Sequence, residues 1–371
     1  MGETERRIIA DGIERIKGGI SGVLPFPRVP FLISRLGLMG DFEMIMRLLI
    51  ILLLVAVAIS GCMEKGPGGP DGRGTNISVS GIKALSIQSA DGLSSYRLKT
   101  TTTENTIVDP FQIDVSPRVH GLGTGSLQIV WKGRVTNETA EIDTDMDLSG
   151  HRASIKGTAT STVKAEDQPE ETKIVQTDIY QIGNITYLKM DGGNWTGIIS
   201  PLPSESLWED ERNNHILAMA ESINSSQVEV IGIEMVDGNE TYKLEILATD
   251  SDYENLYTAA HGLADQLTQY PQFMPSIKRS EFNESVVTEK QIWISKETYL
   301  PVKYQSKMGF KLTPYIIGAL DPDTSLMKMF NQSVRLGEVS VITETTEIYY
   351  DFNRSMEISP PREALQALAG K

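Results

Sequence analysis

The sequence predicts an α+β fold, a large antiparallel sheet with helices inserted between successive hairpins and lying on one face. Three observations carry this prediction. Apolar and polar residues alternate with a period of two in several segments, at Leu127 to Val135, at Tyr242 to Ile246 and most cleanly at Leu300 to Lys307, the period of a sheet with one buried face. Turn chemistry recurs at short intervals, as at Asp191-Gly192-Gly193 and Asp237-Gly238-Asn239, which is the spacing of hairpins. Two stretches break the alternation with apolar stripes at helical spacing.

Taken in order, a short helix is predicted from Ile82 to Leu93, and consecutive strands from Ser126 to Ser200. There Leu127, Ile129, Trp131 and Val135 alternate with Gln128, Lys132 and Arg134. The first main helix is placed from Ser206, where Ser206-Leu207-Trp208-Glu209 has the form of a capping box, to about Ile223. Tyr242-Leu244-Ile246 reads as a strand. The second main helix opens at Ser251-Asp252-Tyr253-Glu254, carries Leu256, Ala260, Leu263 and Leu267 on one face, and closes at Pro271. Leu300-Val302-Tyr304 against Lys303-Gln305-Lys307 is a further strand. Val339 to Phe352, rich in Thr, Val, Ile and Tyr, suits a pleated half-buried surface, and a last helix is placed from Arg362 to Leu368.

The N-terminal region carries a different signal. Arg47 is followed by twelve apolar residues, Leu48 to Ile59, then Ser60, Gly61 and Cys62, which is the chain's single cysteine. A basic residue, an apolar run and small residues are the parts of a secretory signal. Twelve helical residues span about 18 Å against the ~30 Å of a hydrocarbon core, too short for a permanent span. Ile59-Ser60-Gly61-Cys62 resembles a lipobox, which implies that Cys62 is lipidated and becomes the new N-terminus; the alternative is an ordinary cysteine at the end of an uncleaved signal-anchor. The domain reading is therefore 1–43 as a mis-assigned start or cytosolic extension, 44–61 as signal peptide, 62–75 as a Gly/Pro-rich tether, 76–361 as the folded body and 362–371 as a tail. With no second cysteine, the body is held by its core alone.

Net charge is −15 over 371 residues, and residues 1–61 hold seven Lys/Arg against six Asp/Glu, leaving the mature part at −16. Nucleic-acid binding would want a basic face, so no nucleic-acid partner is expected. Nine of the thirteen asparagines head an Asn-x-Ser/Thr sequon: Asn76, Asn137, Asn184, Asn194, Asn224, Asn239, Asn283, Asn331 and Asn353. Random placement of Ser and Thr would give about two. Glycans must lie on solvent-exposed surface, so these positions are expected at turns and strand ends. A lipobox with dense sequons fits, by analogy, an archaeal surface protein.

Catalytic chemistry is poorly represented. The four histidines, His120, His151, His215 and His261, form no close pair at ligand spacing, and the folded part has no cysteine to complete a metal site. Gly121, Gly123 and Gly125 precede a strand, whereas phosphate-binding loops precede a helix. Glu166, Asp167, Glu170 and Glu171 surround Gln168-Pro169 and read as an exposed hairpin tip. Neither cofactor, metal nor enzymatic activity is expected; a hydrolase would need a carboxylate or histidine pair converging in a cleft.

Several segments carry a resemblance. They are Gly92-Leu93-Ser94-Ser95-Tyr96-Arg97-Leu98-Lys99 after an early helix, Ile179-Tyr180-Gln181-Ile182-Gly183-Asn184-Ile185-Thr186-Tyr187 followed by Trp195, Trp293-Ile294-Ser295-Lys296-Glu297-Thr298-Tyr299-Leu300-Pro301-Val302-Lys303, and Tyr350-Asp351-Phe352-Asn353 leading into Ile358-Ser359-Pro360-Pro361. Their order, over roughly residues 82–361, resembles the LolA-like and LppX/LprG-like envelope lipoproteins. That resemblance implies a strongly curved, half-open antiparallel barrel whose concave side is covered by helices and encloses an apolar cavity for acyl chains. On it, the chain is expected to be an extracytoplasmic lipoprotein, anchored to the cell membrane, that binds a lipid or other hydrophobic ligand. Leu207, Trp208, Met219, Leu256, Leu263, Leu267, Met308, Met327 and Met329 are the candidate lining, although a filled core would use the same residues. The alternative is a glycosylated structural or sensing module that meets other envelope proteins and has no ligand cavity.

Overall fold

The computed structural model describes residues 77–117, 127–208, 214–268, 276–313, 317–318, 330–335 and 337–369. The expectations for the signal segment, Cys62, the tether, Asn76, His120, Met327 and Met329 lie outside these residues.

The alternating segments form one open, curved sheet of eleven antiparallel strands. Its middle is β1 (Ser95–Val108), flanked on one side by β16 (Val339–Tyr350) and on the other by β4 (Arg134–Asp147). Beyond β4 the chain meanders outward through β5 (Arg152–Ala165), β6 (Glu171–Ile182), β7 (Ile185–Met190) and β8 (Thr196–Ile199). Beyond β16 lie β13 (Pro301–Leu312), β12 (Val286–Ser295), β10 (Asn239–Ile246) and the edge strand β9 (Val228–Val236). The predicted turn at Asp237-Gly238 is the β9–β10 hairpin, with φ of 46° and 81°, the doubly left-handed pair that matches strand twist. The acidic tip predicted around Gln168 is the exposed β5–β6 turn.

The three middle strands run on into a second sheet of β2 (Phe111–Pro117), β3 (Leu127–Trp131) and β15 (Phe330–Arg335), in the order β15-β2-β3. The break falls at Pro110, which donates nothing to a ladder. Its ring lies so close to Gly133 that a Cβ there would meet Pro110 Cδ at 3.0 Å, and a Cβ on Gly337 would strike Asp109. Glycine in the two neighbouring links, β3–β4 and β15–β16, leaves room for the bent backbone, and at Gly337 a side chain would not fit without a shift. Leu127–Trp131 is thus part of this extension, whereas the alternation alone had placed it in the main run of strands. A two-stranded pair, β11 (Ser276–Ile277) with β14 (Ile317–Gly318), completes the described strands.

Six helices are described. The early helix, α1 (Val79–Asp91), starts three residues before the predicted Ile82, because Ser78 caps it by accepting from Gly81 N. The first main helix is two: α2 (Ser204–Trp208) and α3 (His215–Ser225). Ser206 lies inside α2, and the cap of α3 is Asn214, whose side chain accepts from Leu217 N at 3.1 Å. The second main helix, α4 (Asp250–Thr268), opens slightly earlier than expected. Thr249 and Asp252 cap it reciprocally: Asp252 Oδ2 accepts from Thr249 N at 2.8 Å, and Thr249 Oγ1 accepts from Asp252 N at 3.3 Å. A short α5 (Arg279–Glu284) follows, and α6 (Arg362–Ala369) lies against β8.

Helices α1 and α3 are antiparallel neighbours, tied at one end by Lys83 Nζ to Ser226 O (2.6 Å) and at the other by Asn214 Nδ2 to Ala90 O (3.1 Å). Their apolar faces meet Leu98, Tyr349, Tyr304, Ile292, Ile294, Leu244 and Tyr242 in the larger core cluster. A second cluster holds α4 and α5 to the far end of the same face through Ala260, Phe282, Phe310, Leu312, Val108 and Val339. Among the described residues no helix is long and apolar enough to cross a membrane.

Candidate ligand site

Strand registers assign every inward position. Met146 and Ala153 are opposite each other and pack with Leu207 and Trp208, so the helix-bearing face continues across β4 and β5. Counting by twos from that pair places the polar Thr144, Gln181 and Thr186 on this face, and with them seven further positions, Ile142 on β4, Ile155 and Gly157 on β5, Thr177 and Ile179 on β6, and Leu188 and Met190 on β7. All seven are only half-buried, whereas the inward residues of β10 and β12, Leu244 and Ile292, are fully buried under α1 and α3. One half of the face is therefore covered core, and the other is an apolar floor open in part to solvent. Gly157 widens that floor: a Cβ there would meet only Ile142 Cγ1 at 3.6 Å and the Glu141 carbonyl at 3.8 Å, both ordinary contacts.

Helix α2 bounds the floor at one end. Trp208 donates from Nε1 to Gly183 O (2.8 Å) and stacks on His151 (5.7 Å between centroids), whose Nδ1 lies 3.1 Å from Ser204 Oγ. Gly183 and His151 both have left-handed backbone, φ 57° and 53°, and this brings the two hairpin turns under the helix.

The predicted lining residues fall into three groups. Leu207 and Trp208 lie in the small cluster at the edge of the floor, with Ala153. Met219 is core beneath α3, while Leu256 and Leu263 are half-buried against the α4 cluster. Met308 is half-buried on β13 with its inward neighbours Thr343 and Glu104 in the same rung. The side chain of Leu267, like Met327 and Met329, lies outside the description.

A polar cluster that local sequence did not announce sits at the centre of the sheet. Glu347 on β16 is fully buried. Its Oε2 accepts from the Tyr349 hydroxyl and lies 3.3 Å from His215 Nε2, which is 3.1 Å from Tyr349 Oη. Tyr96 Oη accepts from His215 N at 3.3 Å, so the first residue of α3 is bound to two strands. Burial, reinforced by the charge of Glu347, pushes the Tyr96, Tyr304 and Tyr349 phenols above their ordinary value of 10, and they remain O–H donors. This is a carboxylate and histidine in contact, but in the interior of the sheet. The other inward ion pair, Lys290 Nζ to Asp252 Oδ1 at 2.5 Å, joins β12 to the cap of α4. Among the described residues no group of three or more His, Cys, Asp or Glu could hold a metal ion.

Of the sequon asparagines, Asn137, Asn194, Asn224, Asn239, Asn283 and Asn353 are exposed. Asn184 is half-buried and donates from Nδ2 to Ser200 O at 3.3 Å. The Asn331 side chain lies outside the description.

No protein-family model and no curated protein matches the chain. Solved structures similar to it include the lipoprotein LppX of Mycobacterium tuberculosis, at 11% identity and a TM-score of 0.31, over 76% of this chain and 98% of that one. Others are LprF of Mycobacterium bovis, at 14% identity and a TM-score of 0.30, over 76% of this chain and 96% of that one, and a DUF1329 family protein of Desulfovibrio piger, at 12% and 0.18, over 76% and 95%.

Proposed function

We propose that this chain is a membrane-tethered extracytoplasmic lipoprotein that holds a lipid or another hydrophobic molecule against the inward face of β4–β7. The observation that carries the reading is the half-buried apolar floor of Ile142, Ile155, Ile179, Leu188 and Met190, continuous with a helix-covered core. Apolar surface left partly in water on a concave, pre-formed face gains about 25 cal/mol for each Å² that a ligand covers. Cys62, read as a lipidated anchor, would hold that face within a tether's length of a bilayer. Exposed sequons at six positions agree with a body that lies outside the cell and carries glycans.

Lipid extraction and mass spectrometry of the protein purified from its native membrane test the reading. One lipid class is expected in near-stoichiometric amount; protein that carries none, and takes up none from vesicles, would overturn it. Exposed Ile231, Ile233 and Met235 on the edge strand β9 favour a second reading, a module that binds other envelope proteins. Sequons Asn224 and Asn239 stand close to the two ends of that strand, however, and glycans there would crowd a protein partner.

A further inference from the structure

Among the described strands β9 is bonded to β10 alone, so its outer edge is free, whereas β8 at the opposite end of the sheet has α6 against it. A free edge that also displays apolar side chains is an association site unless something covers it. The register places Val228, Val230, Ile233 and Met235 on the inward face, opposite Ile246, Leu244, Tyr242 and Glu240. Cover is lost along that row: Val228 is 8% exposed, Ile233 46% and Met235 66%. Ile231, the extra residue of the bulge between Val230 and Gly232, is 44% exposed. The carboxylates of the strand, Glu229 and Glu234, take the other face, where Glu234 accepts from Lys243 Nζ at 2.9 Å and from Trp293 Nε1 at 2.8 Å. Glu240, opposite Met235, is paired with Lys296 at 3.1 Å. The edge is therefore amphipathic, and its uncovered side is apolar.

The point at which the chain enters the body lies beside this edge. Ile77 packs on the larger core cluster and Ser78 caps α1. Lys83, one turn further on, donates from Nζ to Ser226 O at 2.6 Å and to Asn224 O at 3.4 Å, immediately ahead of β9. Residues 62–76 thus join the body next to the start of β9. A tether anchored at Cys62 keeps that edge at a high effective concentration near a bilayer, so that a small apolar contact is enough to orient the body. A glycan on Asn239 would project from the opposite face, because Asn239 shares the parity of Thr241 and Lys243. Asn224 stands where the tether enters, in the aqueous layer that the tether itself crosses. A second copy set antiparallel on β9 would bring Glu229 and Glu234 of both chains onto one face of the new strand pair, and like charges disfavour that arrangement.

We propose that the β9 edge is the membrane-facing side of the tethered body, with Ile231, Ile233 and Met235 entering the interfacial layer of the bilayer. The contact orients a body that the anchor already holds; it does not replace the anchor. The proposal rests on the tethered-lipoprotein reading and adds the surface that meets the lipid.

Full-length protein, purified with its lipid and reconstituted in phosphatidylcholine vesicles, tests it. Ile233→Cys, Met235→Cys and, as a control, Ile174→Cys are each labelled with an environment-sensitive fluorophore; Ile174 is 59% exposed and lies on the outward face of β6. A lipidated Cys62 has no free thiol to take the label, and intact mass verifies this. Nitroxide-bearing phosphatidylcholine in the vesicles is expected to quench the two β9 labels several-fold more strongly than the Ile174 label, with a blue shift of their emission on reconstitution. Circular dichroism checks the fold, and either β9 variant suffices if the other does not fold. Equal quenching at the three positions, or none at the two on β9, overturns the membrane-facing assignment and leaves the anchor standing. An emission shift that follows protein concentration and ignores the lipid quencher assigns the edge to a second copy and overturns it as well. An intact mass without lipid on Cys62 overturns the tether and this placement together. The apolar floor of β4–β7 is judged separately, by the lipid extraction.

Discussion

Tyr96, Tyr304 and Tyr349 surround Glu347, and each has lost its water. Because burial holds these phenols protonated beyond pH 10 while unfolded phenols ionise there, the unfolded chain releases protons above pH 10 that the folded chain retains. Their contribution to stability is complete below pH 10 and is lost as pH rises towards the folded values. An alkaline titration followed by tyrosinate absorbance and circular dichroism should show these phenols ionising only in step with unfolding; reversible ionisation in the native protein at ordinary phenol values would contradict their burial. Gly157 is testable from the opposite direction. Since a Cβ fits there at van der Waals distance, Gly157→Leu should fold and project onto the apolar floor, reducing lipid recovered per protein several-fold with a change in stability of about 1–3 kcal/mol at most. Unchanged lipid occupancy in a folded variant would move the ligand off β5. Glu347 itself could not be picked out from its strand. The run Glu344-Thr345-Thr346-Glu347 is polar at every position, so local alternation does not say which face is inside, and only β1 and β13 on either side enclose the carboxylate.

At the scale of elements, the contact between α4 and β12 is set by one buried pair. Asp252 caps the helix through Thr249 and holds Lys290 at 2.5 Å, both side chains being less than a tenth exposed. Asp252→Ala removes the cap and strands the ammonium, so a loss of about 3–5 kcal/mol is expected in denaturant unfolding. Asp252→Ala with Lys290→Met should recover much of it, because the second change removes the unpaired charge; equal destabilisation by the single and double variants would show that the cap alone matters. The same residues explain what sequence could and could not reveal. Thr249-x-x-Asp252 and Ser251-x-x-Glu254 are overlapping capping signals of equal local quality, and the choice between them is made by Lys290, 38 residues downstream of Asp252. Glu254 instead pairs with Arg279 at the surface. Strands whose two faces differ sharply were legible: Leu300, Val302 and Tyr304 are buried as the alternation requires. The split of α2 from α3 and the transfer of Leu127–Trp131 to the second sheet were not, since each depends on partners distant in the chain.

On the scale of the whole molecule, β1 and β16 lie side by side although their bonded residues Thr102 and Thr345 are 243 positions apart, so the sheet can close its centre only when both ends of the body are present. The segment before α1 is thereby joined to the firmest part of the fold, with Ile77 packed on the larger core cluster. A lipid on Cys62 would act on that body through the fifteen residues 62–76, which extended reach about 50 Å. One acyl chain gives marginal, reversible membrane binding, and two or more give stable anchoring. If Cys62 carries such an anchor, wild-type protein should partition into the detergent phase and require detergent for release from membranes. Cys62→Ser should appear in the medium, or remain unprocessed with its apolar segment, and an intact-mass measurement separates these outcomes. The released body should keep its fold, because its described core draws on residues from 77 onward. Processed Cys62→Ser protein that stays membrane-bound and detergent-dependent would refute the anchor and shift the tie to the bilayer onto the folded body itself.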